Sequence, residues 1–244
     1  MIAVRSLLFN LYFFLWTALI LLSAWVLLPF PRTAQQWVVT MWGKGKRLGL
    51  KVFVGIGWQV RGRENIPDGP AIIASKHQSA WDTSIFHGVL SDPVYVLKKE
   101  LTSIPFWGWS ARKCEALVVD RAGGASALKE LVRGTRASIE KGRQVIIFPE
   151  GTRTVPGQRN PYFPGIAAMY AQAKAPVVPV AVNSGLFWGR RSFVKNSGVI
   201  TIEFLPPIPP GLDRRAFMAE LEERIEAASE RLRMEAEEKF PAIR

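Results

Sequence analysis

The chain has 244 residues, with 32 Lys and Arg against 20 Asp and Glu, a formal net charge of +12 and a pI near 10.2. That length holds one sizeable domain plus an appendage, and that charge demands an acidic partner, either nucleic acid or an anionic membrane surface. The single cysteine, Cys114, excludes an internal disulfide framework and a cysteine-rich metal site, and fits a reducing compartment.

Residues 7–30 are apolar apart from Asn10, Thr17 and Ser23, and carry no charge. Such a run is long enough to cross about 30 Å of hydrocarbon as a helix. A signal peptide normally has a shorter core and a small-residue cleavage site. This run ends in Leu27-Leu28-Pro29-Phe30-Pro31, so it reads as a retained anchor that the prolines terminate. Residues 33–53 read as a second helix, amphipathic and lying in the membrane interface. Trp37, Val38, Met41, Trp42 and Leu48 recur at helical spacing, while Gln35, Gln36, Lys44, Lys46 and Lys51 fall elsewhere, with Trp expected at headgroup depth and Lys facing phosphate. The plainer alternative is an ordinary core-facing helix, and Gly43, Gly45 and Gly49 weaken any helix here. No acidic residue precedes Glu64, whereas Arg32, Lys44, Lys46, Arg47, Lys51, Arg61 and Arg63 occupy this stretch. A basic, acid-free segment after an apolar one is the juxtamembrane pattern of an anionic leaflet, and it puts the rest of the chain on the cytoplasmic side. Residues 1–57 are therefore expected to anchor the chain, leaving 58–244 as the domain to carry any chemistry.

From Trp58 the pattern becomes α/β. Strands are expected at 57–60, 71–74, 94–97, 116–119, 144–148, 177–182 and 199–204, and helices at 80–90, 125–141, 165–174 and 213–237. Leu128, Leu131, Val132 and Ile139 make one apolar stripe, and Phe217, Leu221, Ile225, Ala228 and Leu232 another, after an Asp213 cap. This order predicts a mixed, largely parallel sheet flanked by helices.

Three strand ends carry the chemistry. Ala71-Ile72-Ile73-Ala74 is a buried strand after the turn Pro67-Asp68-Gly69-Pro70, and His77 follows it. Ser79 is placed to cap the next helix, with Asp82 in its first turn. At such a strand-to-helix corner the carboxylate can fold back on the imidazole, fix its tautomer and leave the other nitrogen as a base. The plainer alternative is that Asp82 merely favours a helix N-terminus and His77 is a satisfied loop histidine. The strand at 144–148 opens into Pro149-Glu150-Gly151-Thr152-Arg153, which shares an edge with His77 if the strands are parallel. Arg153 suits a phosphate through its planar fork, and Gly151 permits close approach of a ligand to backbone. The strand ending at Leu97 offers Lys98 as a second cation. Each loop taken singly also reads as a charged surface turn. His87 reads as a structural histidine, Cys114 as core, and two histidines without a cysteine pair make no usual zinc cage, so no metal is expected.

Taken together, the residues 77–82, HQSAWD, and 148–153, FPEGTR, resemble the glycerolipid acyltransferases that acylate lysophosphatidic acid. Lys98, Leu101, Gly108 and Arg121 fit that family's pattern K-x2-L-x6-G-x12-R, and Val177-Val178-Pro179-Val180 is similar to its proline-bearing strand. The resemblance covers about residues 58–210, and the N-terminal helices fit bacterial members. It implies that His77 deprotonates the sn-2 hydroxyl of a lysophosphatidic acid, that Asp82 orients the imidazole, and that the alkoxide attacks the thioester of acyl-ACP or acyl-CoA without an acyl-enzyme or a cofactor. It implies that Arg153, with Lys98 or Arg121, holds the acceptor phosphate, and that Glu150, Gly151 and Thr152 position substrate, Glu150 alternatively by supporting Arg153. It implies a bacterial inner-membrane enzyme meeting lysolipid, an anionic leaflet and an acyl carrier protein. One departure is visible: Lys76 stands where the family commonly has Asn, which is expected to alter donor or headgroup contacts while leaving the dyad intact. The rival readings are an acyltransferase for another acceptor, a lyso-ornithine lipid or glycerol-3-phosphate, and a non-catalytic basic membrane-binding module. A nucleic-acid binder is disfavoured, because the charge follows a membrane segment rather than an aromatic-studded groove.

Overall fold

The computed structural model describes residues Met1–Ile243, with the Arg121 side chain outside the described part. Seven strands form one sheet in the order β1 (Ile56–Arg61), β7 (Gly198–Phe204), β6 (Val177–Val182), β2 (Ala71–Ser75), β5 (Gln144–Ile147), β3 (Pro93–Lys98) and β4 (Leu117–Val119). All neighbours are parallel except β6 and β7. The central strands are continuous apolar runs because both faces are covered. Ile73 and Ile146 point into one core cluster, while Ile72, Ala74, Val145 and Ile147 point into the other, the period-two alternation of a strand. The second face carries α5 (Gly124–Glu140), α6 (Gly165–Ala173) and α8 (Arg214–Lys239), the last capped by Asp213 through the backbone N–H groups of Arg215 and Ala216.

The first face is covered by a helical hairpin, α1 (Ile2–Val26) and α2 (Arg32–Gly49), which runs on as a π-helical turn, Leu50–Val54. The glycines of α2 are where its partner approaches. A Cβ at Gly45 would collide with the Trp16 ring and one at Gly49 with Tyr12, so both glycines admit aromatic side chains of α1 against the α2 backbone. Tyr12 Oη donates to Gly45 O at 2.9 Å, and Trp42 Nε1 donates to Thr17 Oγ1 at 3.1 Å.

Two features of the amphipathic expectation for α2 are corrected. Lys46 does not face phosphate: it is fully buried, and its Nζ donates to Ala80 O at 2.8 Å and Trp81 O at 3.3 Å, with the Trp42 ring 4.4 Å away. Gln35 is also buried, donating to Ala24 O and accepting from Ser110 Oγ. Lys44, Lys51 and Trp37 are exposed or half-exposed as a surface helix requires.

Both ends of α1 are tied to the sheet-bearing part of the chain. Arg5 Nε donates to Phe53 O, the Lys195 backbone N–H donates to Ser6 Oγ, and Phe9 packs at 0% exposure in the cluster that also holds Ile73 and Ile146. The far end meets Gln35, which itself holds Ser110. The opposite side of α1 is an exposed apolar stripe, Leu8, Leu11, Leu15, Leu19, Leu22 and Val26. By length and composition this helix could cross a membrane.

The helix expected over 80–90 is shorter. It is α3 (Asp82–Ile85), followed by a 3-10 turn at Phe86–Gly88, because the Asp82 side chain binds the preceding turn. Two helices had no sequence signal: α4 (Trp107–Lys113) and α7 (Ser184–Phe187).

Candidate active site

The register of the parallel strands builds the site. Ala74 of β2 faces Ile147 of β5, and His77 and Glu150 each stand three residues further on. On the other side of β5, Tyr95 of β3 faces Ile146, which brings the end of β3 at Lys98 to the same edge. Ligands bind at the carboxyl edge of such sheets.

His77 Nδ1 lies 3.0 Å from Asp82 Oδ2. The same oxygen accepts from the backbone N–H groups of Gln78 and Ser79, each at 2.8 Å, and Oδ1 accepts from Ser184 Oγ at 2.6 Å. Asp82 is fully buried. Burial pushes its pKa up, but the hydrogen bonds from His77, Ser184 and the Ser79 backbone outweigh it and hold the carboxyl below its ordinary value. An ionised carboxylate only accepts, so the proton belongs on Nδ1 and the Nε2 lone pair is left for a substrate. The Phe148 ring stacks on the imidazole at 4.1 Å, and Thr154 N donates to His77 O, so ring and backbone are both held. Ser79, expected as the helix cap, instead accepts from Trp81 N at 3.2 Å, one residue before α3 begins.

His77 lines a cavity of about 310 Å³. Lys98, Gly151 and Arg153 share its lining, whereas Thr152 does not reach it. Its remaining wall is mostly apolar, with Leu97 of β3, Leu101 of the turn after it, Ala127 and Leu131 of α5, Phe163 of the loop before α6 and Ile166 of α6. Among the described residues the Arg153 guanidinium makes no hydrogen bond or ion pair. Burial lowers its pKa from the ordinary arginine value, partly offset by the Asp82 carboxylate. The side chain of Arg121 lies outside the described residues. Gly151 has φ of 62°, the left-handed region, so the loop turns there without Cβ strain.

Glu150 does not support Arg153. Its Oε1 accepts from Lys76 Nζ at 2.8 Å, and Lys76 also donates to Glu226 Oε1 of α8 at 2.7 Å, which accepts from Tyr162 Oη at 2.9 Å. Lys76 is likewise buried away from the cavity and lines none of it, contrary to a role in donor or headgroup contact. His87 stacks on Tyr95 at 5.2 Å, and Cys114 is buried with its thiol pushed up to about 11 by burial. Sequence reasoning missed Ser184, Tyr162 and Glu226 and misplaced Lys46. Ser184 stands two residues past the end of β6, so the strand order alone would have found it.

The Acyltransferase family model matches residues 57–183, which include both His77–Asp82 and the 148–153 loop. The chain belongs to the acyltransferase family. A 1-acyl-sn-glycerol-3-phosphate acyltransferase of Pseudomonas aeruginosa is 36% identical over 229 residues, 92% of this chain and 88% of that one. The proteins of the same name from Saccharomyces cerevisiae and, as the alpha form, from Homo sapiens are 29% and 28% identical, over 65% and 66% of this chain and 54% and 58% of theirs. The crystal structure of the 1-acyl-sn-glycerophosphate (LPA) acyltransferase PlsC of Thermotoga maritima superposes with a TM-score of 0.74 at 24% identity, covering 95% of this chain and 98% of that one, and so shares its fold. In this acyltransferase an imidazole held by a buried carboxylate thus lies on a mostly apolar cavity with two cationic side chains on its lining.

Proposed function

We propose that this acyltransferase moves an acyl chain from an acyl thioester, acyl-ACP or acyl-CoA, to the sn-2 hydroxyl of 1-acyl-glycerol-3-phosphate, making phosphatidic acid. The observation that carries it is the 3.0 Å contact between His77 Nδ1 and Asp82 on a cavity that also holds Arg153 and Lys98. The two cations take the acceptor's phosphomonoester, Arg153 through its fork. His77 Nε2 removes the hydroxyl proton as the oxygen attacks the thioester carbonyl. Asp82 stabilises the imidazolium. Collapse of the tetrahedral intermediate breaks the C–S bond, and the thiolate leaves with the proton from His77. General-base catalysis of this kind contributes on the order of 10²–10⁴-fold, and placement of the two substrates supplies much of the rest.

The hairpin supports a membrane attachment. A helix of 25 residues is about 37 Å long, yet both ends of α1 contact the catalytic unit, Ser6 at Lys195 and Trp25 at Phe106, while its stripe from Leu8 to Val26 is exposed. We read α1 as lying in one leaflet of the bacterial inner membrane with the catalytic unit on the cytoplasmic side. The test of function offers purified protein lysophosphatidic acid, lysophosphatidylcholine, a lyso-ornithine lipid and glycerol-3-phosphate in parallel, with acyl-CoA and then acyl-ACP. Preferential acylation of lysophosphatidic acid is expected; preference for another acceptor overturns the substrate assignment.

A further inference from the structure

The stretch from the end of β3 into the first turn of α4 is unusual for a surface. Ile104, Phe106 and Trp109 are 46%, 37% and 42% exposed, and Pro105 between them is exposed too. Three large apolar side chains so close together are not the scattered exposure of an ordinary soluble surface. They are not loose either. Gly108 N donates to Ile104 O at 2.8 Å, a Cβ at Gly108 would collide with the Thr102 carbonyl, and Arg112 Nη2 donates to Thr102 O at 3.1 Å. Phe106 holds φ of 61°, a backbone region that side chains other than glycine rarely adopt. The fold thus keeps a strained residue whose ring is turned outward.

That patch is continuous with the apolar side of α1. The Phe106 ring meets Trp25 edge-on at 6.2 Å and Trp109 at 5.3 Å. Trp25 is 51% exposed and ends the stripe with Leu22 and Val26. Arg112 and Lys113 follow in the last turn of α4, the aromatic-then-basic order of a segment seated at headgroup depth. On the other side of the patch, Leu101 and Lys98 line the catalytic cavity.

We infer that Ile104–Trp109 is a second lipid-inserted element, which enters the leaflet beside the end of α1 and holds the Lys98–Leu101 rim of the cavity against the membrane. The occupant is a phospholipid leaflet. The inference rests on the reading that α1 lies in the bilayer, and the experiment separates the two. Single cysteines are placed in the full-length chain at Ile104→Cys, at Leu19→Cys on the α1 stripe, and at Glu223→Cys on α8. Each is labelled with an environment-sensitive fluorophore, the buried Cys114 staying unlabelled, and reconstituted in phosphatidylethanolamine–phosphatidylglycerol vesicles. Retained acyl transfer in each labelled protein shows that it is folded. Severalfold stronger quenching by brominated acyl chains at 104 and 19 than at 223, with protection from aqueous iodide, is the expected result. Lipid quenching at 19 with full iodide access at 104 overturns the second element and leaves the anchor standing. Iodide access at both positions overturns the membrane reading of α1 and this inference together.

Discussion

Lys76 Nζ lies 2.8 Å from Glu150 Oε1, joining the residue before His77 to the residue before Gly151. The ammonium also meets both oxygens of Glu226, at 2.7 and 2.9 Å, so β2, the loop after β5 and α8 meet at one buried cation. All three side chains are at most 5% exposed. Removing one partner from such a cluster leaves buried charge uncompensated and costs about 3–5 kcal/mol. Lys76→Asn is therefore expected to lower the urea midpoint substantially, and Lys76→Asn with Glu226→Gln to recover part of the loss. An unchanged midpoint for the single variant would show that the cluster contributes nothing to stability.

The dyad makes a separable prediction. His77→Ala removes the base and the stacking on Phe148 but leaves Asp82 hydrogen-bonded to Ser184, Gln78 and Ser79. Transfer is expected to fall by about 10²–10⁴-fold or more with the far-UV spectrum retained. Asp82→Asn keeps the shape and loses the charge that favours Nδ1–H, so its loss of kcat is expected to be smaller. Near-normal turnover by folded His77→Ala protein rules out the mechanism.

Much of this is legible in the sequence. The apolar run Val177–Val182 is β6 to the residue, and the strand-end positions of His77, Lys98 and Arg153 converge because β2, β5 and β3 are parallel neighbours. What was not readable depended on partners distant in sequence. Lys46 and Gln35 look like the wet side of a surface helix, yet their donors are met by the Ala80, Trp81 and Ala24 carbonyls. Glu150 looks like a neighbour for Arg153, and only the placement of α8 reveals that Lys76 claims it. The helix α4 has seven residues, too few for an apolar period to show, and it begins after a residue in the left-handed region.

His87 gives a pH prediction. Burial lowers its pKa to about 4, with Arg32 adding to the shift and Asp92 opposing it, and its Nδ1 is buried without a partner among the described residues. In the unfolded chain the same ring titrates near about 6.5. The unfolded state therefore takes up the proton first, and stability is lost as pH falls from about 6.5 to about 4. Below that window, loss passes to carboxylates such as Glu115, which hydrogen bonding from Arg143 holds near about 2. His87→Phe removes the titration, so its urea midpoint should change less between pH 7 and pH 4.5 than that of the parent. An unaltered pH slope would contradict the assignment. Since His87 stays neutral above about 4, an acid limb in kcat/KM between pH 5 and 8 is not its doing.

Arg153 carries the last prediction. Its guanidinium lines the cavity with His77, and Glu150, the carboxylate once expected to pair with it, is held by Lys76 instead. A phosphomonoester carries up to two negative charges, and a bidentate fork is its best single match. Held there, the phosphate sets the distance from the sn-2 hydroxyl to Nε2, so the residue acts by placement as well as by affinity. Arg153→Lys keeps the charge and loses the fork. It is expected to raise KM for lysophosphatidic acid and to lower kcat with it, by about tenfold or more in kcat/KM, equivalent to a loss of about 1.4 kcal/mol in transition-state binding. Melting temperature should change little, because no ion pair of Arg153 among the described residues is broken. Kinetics and melting measured on one sample decide the matter. A KM defect confined to the acyl donor, or unchanged lysolipid kinetics in a stable variant, removes the phosphate from Arg153.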